Sequence, residues 1–209
     1  RGSGGVRSCR AMTGVDFLGH GEKELPEALI GRTDPSLSAA GRASVARQIR
    51  GRTWSAIITS PLRRALETAR IAASGTTVEP DADWREIDFG DWDGRLRCDL
   101  ADDARLTAFF SDPEANPPPG GETMKAVRAR VASALERVAA QGGGPVLVVA
   151  HGGSIRMALS ILLGISLERL WAIRISCATL IRVELGSDPV HGLWGQIVEI
   201  AQCPGEASE

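Results

Sequence analysis

Apolar positions recur along the chain with two different periods, and the switches between them mark out the elements. Val15-Asp16-Phe17-Leu18 predicts a short strand that runs into a glycine-rich turn, Gly19-His20-Gly21. Leu37, Ala40, Val45 and Ile49 then share one helical face, with Ser38 as N-cap and Gly51 as the stop. Ser55-Ala56-Ile57-Ile58 predicts a second strand. Pro61 opens a second helix, striped by Leu62, Ala65, Leu66, Ala69 and Ala72 and closed by Gly75. Thr76 to Glu79 is a candidate third strand.

The segment Trp84 to Trp92 is aromatic and acidic. Asp112 to Gly121 holds four prolines and two glycines and is expected to be a loop bordering a pocket. Met124, Val127, Val131, Leu135 and Val138 define a third helix, ended by Gly142-Gly143-Gly144. Val146-Leu147-Val148-Val149 is a continuous apolar run of strand length, as in the interior of a parallel sheet covered on both faces. Ser154 to Leu163 predicts a buried helix, and Thr179 to Glu184 and Gln196 to Ile200 two closing strands. This alternation implies an α/β fold, a three-layer αβα sandwich with a mostly parallel sheet and helices on both faces. Residues 1–11 read as a tag or disordered extension, 12–202 as a single domain and 203–209 as a frayed tail.

Composition narrows the partner. The 209 residues are 43% hydrophobic and 24% charged, enough for one sizeable core. Lys and Arg number 24 against 26 Asp and Glu, so no positive excess is available for nucleic acid or an anionic membrane. The partner expected is a small molecule, and the oligomeric state is left open. The most apolar charge-free run, Met157 to Leu167, is too short to span a bilayer, and no apolar signal core precedes the first strand, which points to the cytoplasm. Cys9, Cys98, Cys177 and Cys203 are scattered with no CxxC pair, against a disulfide scaffold or a thiolate zinc site.

Two of the three histidines, His20 and His151, share a setting: each follows an apolar strand and precedes glycine. Ligands of open α/β sheets bind at the carboxyl ends of strands, and the glycines allow backbone N–H groups to come close. A helix starting near Ser154 would aim its positive end there, which favours an anion such as phosphate. Either His alone would read as a hydrogen-bonded turn residue; the repeated pattern reverses that. His191, beside Gly192, reads as structural. Ser60-Pro61-Leu62-Arg63-Arg64-Ala65 follows a strand and opens a helix, so one arginine can reach back over the sheet edge. Glu86 lies among Trp84, Phe89 and Trp92, where a carboxyl group beside apolar rings can donate a proton near neutral pH; an acidic surface turn is the alternative.

Together these residues resemble the histidine phosphatase (phosphoglycerate mutase-like) superfamily from Met12 to Ile200. The matching motifs, in family order, are Gly19-His20-Gly21-Glu22, Gly31-Arg32-Thr33-Asp34, Ser60-Pro61-Leu62-Arg63-Arg64-Ala65, the acidic-aromatic box with Glu86, Pro119-Gly120-Gly121-Glu122 and Ala150-His151-Gly152-Gly153. The box, the Pro-Pro-Gly-Gly-Glu loop and Leu167-Glu168-Arg169-Leu170-Trp171 look most like α-ribazole phosphatases of cobalamin assembly. The resemblance implies a two-step phosphoryl transfer without metal or other cofactor. His20 would be the nucleophile, Glu86 the acid and then the base, and Arg64 and a protonated His151 the stabilisers of the phosphoryl oxygens. It places Gly21, Lys23, Arg32, Glu122 and Gly152 around the phosphate or the substrate. One departure stands out: the family arginine before the nucleophile is Gly19 here, and Lys23 follows Glu22 where Thr or Ser is common. Three rivals remain: a cofactor-dependent mutase, disfavoured by the 24-residue connection from Arg95 to Pro118; a non-catalytic phospho-ligand binder, motivated by Gly19; and a metallohydrolase using His20, His151 and Glu86.

Overall fold

The computed structural model describes residues 12–25, 27–141, 144–188 and 192–203. Its strands are β1 (Thr13–Gly19), β2 (Ala56–Thr59), β3 (Val78–Pro80), β4 (Val146–Ala150), β5 (Leu180–Asp188) and β6 (Gly192–Ala201). The helices of more than two turns are α1 (Ala39–Gln48), α2 (Arg63–Ala72), α3 (Ala104–Ser111), α4 (Met124–Ala140) and α5 (Gly152–Leu163). One sheet runs in the order β3-β2-β4-β1-β5-β6. The first four are mutually parallel, and β5 and β6 continue the sheet antiparallel.

Strand alternation divides the sheet's side chains between two cores. Val15, Phe17, Val146, Val148, Ile181 and Val183 face the apolar sides of α4 and α5. Leu18, Ile57, Leu147, Val149 and Leu180 face Ala65, Ala69 and Ala72 of α2, against which α1 packs. Every residue of β4 is buried, as its unbroken apolar run requires. The layers are therefore helix, mixed sheet, helix.

Element boundaries depart from the sequence expectation where another residue supplies the cap. Ser38 does accept from the Gly41 amide, 2.9 Å, and starts α1. Pro61 does not open α2: Leu62 is still extended, and the helix begins at Arg63, whose amide is met by the Asp34 carboxylate at 2.7 Å. Helix α5 begins at Gly152 rather than Ser154, because His151 is itself the extended N-cap. Helix α3 has no counterpart in the sequence reading; it buries only Phe109, too little to give an apolar stripe. Strands β5 and β6 run further than expected. Gly186, beyond the expected end of β5, lies against the Trp194 ring of β6, where a Cβ would come within 2.7 Å of Cε2. His191 and residues 1–11 and 204–209 lie outside the described residues. Cys98, Cys177 and Cys203 are unbridged, and no helix among the described residues is long and apolar enough to cross a membrane.

The turn after β1 is fixed by close approach of backbones. A Cβ on Gly21 would lie 2.7 Å from the Gly41 carbonyl and 2.9 Å from Val45 Cγ2 of α1. Gly21→Ala is therefore expected to cost about 1–3 kcal/mol through overpacking, read as a lower urea midpoint with unchanged slope; an unshifted midpoint would show that α1 can move aside.

Candidate active site

Three adjacent strands end at one level. Gly19 of β1 is paired with Ala150 of β4, the His20 amide donates to the Ala150 carbonyl at 3.1 Å, and the Ser60 amide after β2 donates to the Val149 carbonyl at 2.9 Å. His20, His151 and Ser60 are thus placed side by side by the register of the sheet, with the two imidazole centroids 5.1 Å apart.

His20 Nδ1 lies 2.7 Å from the Gly21 carbonyl, which can only accept. The ring proton therefore sits on Nδ1, and the lone pair of Nε2 is left to react. Burial, then the positive charge of Arg64, push the His20 pKa down to about 3, helped by Lys23 and opposed by the Gly21 bond. The imidazole is neutral at any physiological pH. His151 is fully buried, and burial, then the charge of Arg64 with a smaller part from Arg130, takes its pKa well below the ordinary histidine value. The expected imidazolium belongs to the anion-bound site; burial by itself favours the neutral ring. Its Nε2 lies 2.8 Å from Ser60 Oγ, and its Nδ1 is buried with no hydrogen-bond partner. Arg64 is also fully buried; it donates to the carbonyls of Thr33 (3.1 Å) and Ile30 (3.2 Å), while its Nε has no partner. Buried polar atoms are rarely left unsatisfied, and two of them here belong to the phosphate-binding candidates.

Glu86 is not held among aromatic rings. Trp84 and Trp92 turn into the core, and the Glu86 carboxylate instead accepts from the amides of Ile87 (2.9 Å) and Gly153 (3.1 Å). It thereby occupies the N-terminus of α5, the place where an anion was expected from sequence. A Cβ on Gly153 would overlap Glu86 Oε1 and the Ile87 side chain, so the second glycine after His151 serves the carboxylate.

His20, Lys23, Glu86 and Gly152 line one cleft of about 740 Å³. Lys23 is nearly buried, and desolvation, with help from Arg64, lowers its pKa from the ordinary lysine value. Three other expected residues have different work. The side chain of Arg32 is 79% exposed and pairs with Asp88. Glu122 holds Arg130 through two bonds of 2.8 and 2.9 Å, and Arg130 donates in turn to the carbonyls of Asp83, Arg85 and Glu86. The Gly21 amide is taken by Thr68 Oγ1 at 3.1 Å. The proline-rich loop does not border the cleft; it buttresses the acidic segment, with the Asp91 amide donating to Pro119 and the Glu122 amide to Asp88.

The far wall of the cleft went unforeseen. Arg97 lies 5.5 Å over the Phe110 ring and Arg156 4.5 Å over the Trp171 ring, and those two rings meet edge to face at 5.1 Å. Trp171 was visible only as part of a resemblance motif, and nothing in the spacing joins residues 97, 110, 156 and 171. Among the described residues no group of three or more His, Cys, Asp or Glu could hold a metal ion.

Residues 17–192 match the histidine phosphatase superfamily (branch 1), and the chain belongs to that family. It is 33% identical over 170 residues to glucosyl-3-phosphoglycerate phosphatase of Mycolicibacterium vanbaalenii, covering 73% of this chain and 75% of that one. It is 30% identical over 132 residues to adenosylcobalamin/alpha-ribazole phosphatase of Escherichia coli, covering 61% and 65%. The structure of a mycobacterial glucosyl-3-phosphoglycerate phosphatase superposes with a TM-score of 0.78 at 27% identity, covering 90% and 97%.

The neutral His151 makes anion binding depend on protons. A dianion beside Nδ1 stabilises the imidazolium, so its pKa rises on binding and a proton is taken up; affinity then falls as pH rises through the pKa of the bound state. Sulfate, which does not itself titrate, should bind at about pH 6 with proton uptake measurable by calorimetry in buffers of different ionisation enthalpy. His151→Asn should abolish the uptake, and none in the unaltered protein would sink this account.

Proposed function

We propose that the protein hydrolyses small phosphomonoesters through a phosphohistidine on His20, without a metal ion. The observation that carries this reading is the neutral His20, its Nε2 lone pair unprotonated, near two buried nitrogens that lack partners, Arg64 Nε and His151 Nδ1. His20 Nε2 forms the bond to phosphorus while the ester P–O bond breaks and its electron pair leaves on the alkoxide, which takes a proton from Glu86. Water then attacks phosphorus and gives a proton to Glu86, and the P–N bond breaks to restore neutral His20. Arg64 and His151, protonated once the anion is bound, stabilise the equatorial oxygens.

For the alcohol, α-ribazole 5′-phosphate or a similar small phosphomonoester is proposed, supported by the acidic-aromatic box and the Leu167–Trp171 segment. A second reading is favoured by Arg97 and Arg156 on the far wall, whose charges suit an alcohol carrying its own negative group. Comparing kcat/KM for α-ribazole 5′-phosphate, 3-phosphoglycerate and a neutral aryl phosphate decides between them. Mutase activity exceeding hydrolysis would overturn both.

Labelled substrate should mark the wild-type protein with an acid-labile phosphoryl group, with turnover undiminished by excess chelator. Equal labelling of His20→Ala would refute the assignment. Gly19 gives a further expectation. Its Cβ position is 3.1 Å from the Ser176 carbonyl, so an arginine needs a shift there of a few tenths of an ångström. Gly19→Arg should raise kcat by about 10²–10³, the worth of one preorganised donor. A smaller gain, with Lys23→Ala removing most of the activity, would assign that charge to Lys23; inactivity of both proteins with phosphate still bound would favour the binder.

A further inference from the structure

Asp93 is not among the residues that line the cleft, yet all its carboxylate's acceptor capacity is used on one loop. Oδ1 accepts from the amides of Gly31 at 2.5 Å and Arg32 at 2.9 Å. Oδ2 accepts from the Thr33 amide at 2.9 Å and the Thr33 hydroxyl at 2.5 Å. The carbonyls on either side of these amides, Ile30 and Thr33, are the two that hold the Arg64 guanidinium. Ile30 C=O and Gly31 N–H are the two ends of one peptide group. Asp93 therefore reaches Arg64 Nη2 through a single amide, donating to the carboxylate at one end and accepting from the guanidinium at the other. Each bond polarises the amide so as to strengthen the other.

We propose that Asp93 is a positioning residue for Arg64, forming with it an ion pair bridged by the Ile30–Gly31 peptide that aims the buried guanidinium at the phosphate. Three further observations fit. Although burial pushes the Asp93 carboxyl up, its bonds to Thr33, Gly31 and Arg32 hold it below the usual carboxylate range, so it stays charged throughout the physiological span. The bridging peptide has little room to move: a Cβ on Gly31 would overlap the Ile87 carbonyl and lie 3.1 Å from the Phe89 amide nitrogen. The same stretch is pinned at its start, where the Leu29 amide donates to Arg95 and the Gly94 amide to Leu29. Arg64 itself has no solvent to adjust in, so its aim is set by what holds its Nη groups. Asparagine at position 93 would keep the size but turn an N–H₂ group towards backbone donors and remove the charge.

The inference rests on the reading of Arg64 as a phosphate ligand, and its test uses inorganic sulfate, so that it can fail separately from the phosphohistidine chemistry. Sulfate affinity and steady-state kinetics would be measured for wild type, Asp93→Asn, Arg64→Met and the double variant, with folding checked by thermal melting. Asp93→Asn should weaken sulfate binding at least tenfold and lower kcat by about 10²-fold, the scale of a misplaced catalytic group, with a smaller change in KM. In the Arg64→Met background the same substitution should change sulfate affinity less than twofold, because its effect passes through the guanidinium. Equal losses in both backgrounds, or a folded Asp93→Asn protein with unaltered sulfate affinity, would overturn the proposal. Thr33→Val, which removes one of the four bonds and keeps the charge, serves if Asp93→Asn fails to fold. It should weaken sulfate binding measurably when Arg64 is present and not in the Arg64→Met background; any other pattern counts against the bridge.

Discussion

A guanidinium with none of its surface exposed is the constraint from which the rest of the site follows. Burying a positive charge is costly unless it is paired and hydrogen-bonded. Arg64 meets that demand with two backbone carbonyls, with Asp34 at 3.6 Å, and with the more distant charges of Glu86 and Asp93. None of these is bidentate, and Nε is left over. The same charge acts on its neighbours: it helps keep His20 and His151 in their neutral forms. In the proposed mechanism one buried cation thus prepares the nucleophile, withholds a proton from its neighbour until the anion arrives, and offers that anion a donor.

Holding such a site requires backbones closer than side chains allow, and this explains where the motif glycines fall. Sequence reasoning assigned Gly21 and Gly152 to ligand contact. In the fold Gly21 makes room for α1 and spends its amide on Thr68, while Gly152 lines the cleft and Gly153 admits Glu86 to the start of α5. A carboxylate at a helix N-terminus is favoured by the amide dipoles. Glu86 is therefore fixed by α5 on one side and on the other by Arg130, which holds the carbonyl of residue 86 itself.

The sheet and the strand-end histidines were legible because both rest on local patterns: apolar runs of strand length, each ending at His-Gly. Arg64 was legible as one of a pair following a strand, though only the fold shows that Arg63 faces outward to Glu67 while Arg64 is buried. The roles of Asp93 and Arg130 were not legible, because each acts by hydrogen bonds to the backbone of a remote segment, and such bonds leave no trace in spacing. The pairings of Arg32 with Asp88 and of Glu122 with Arg130 were not legible for a related reason: each joins side chains of separate motifs. The cation-bearing far wall joins segments about 60 residues apart, and aromatic and arginine positions so separated carry no common period.

The absence of an arginine at position 19 is best judged by charge. A phosphate dianion facing His20 needs positive charge nearby, and a protonated nucleophile cannot provide it, because protonation consumes the lone pair that must attack. Arg64 supplies one cation, but its Nη groups are already committed to carbonyls. Lys23 lines the cleft together with His20, and its charge, like that of Arg64, disfavours protonation of His20. In the proposed mechanism two cations face the two negative charges, with an ammonium standing where the family has an arginine. What an ammonium does not supply is a planar fork that fixes oxygen positions. In the proposed mechanism that directional task falls on Arg64 and His151, and the bonds that orient a buried guanidinium then matter more than they would beside a second arginine.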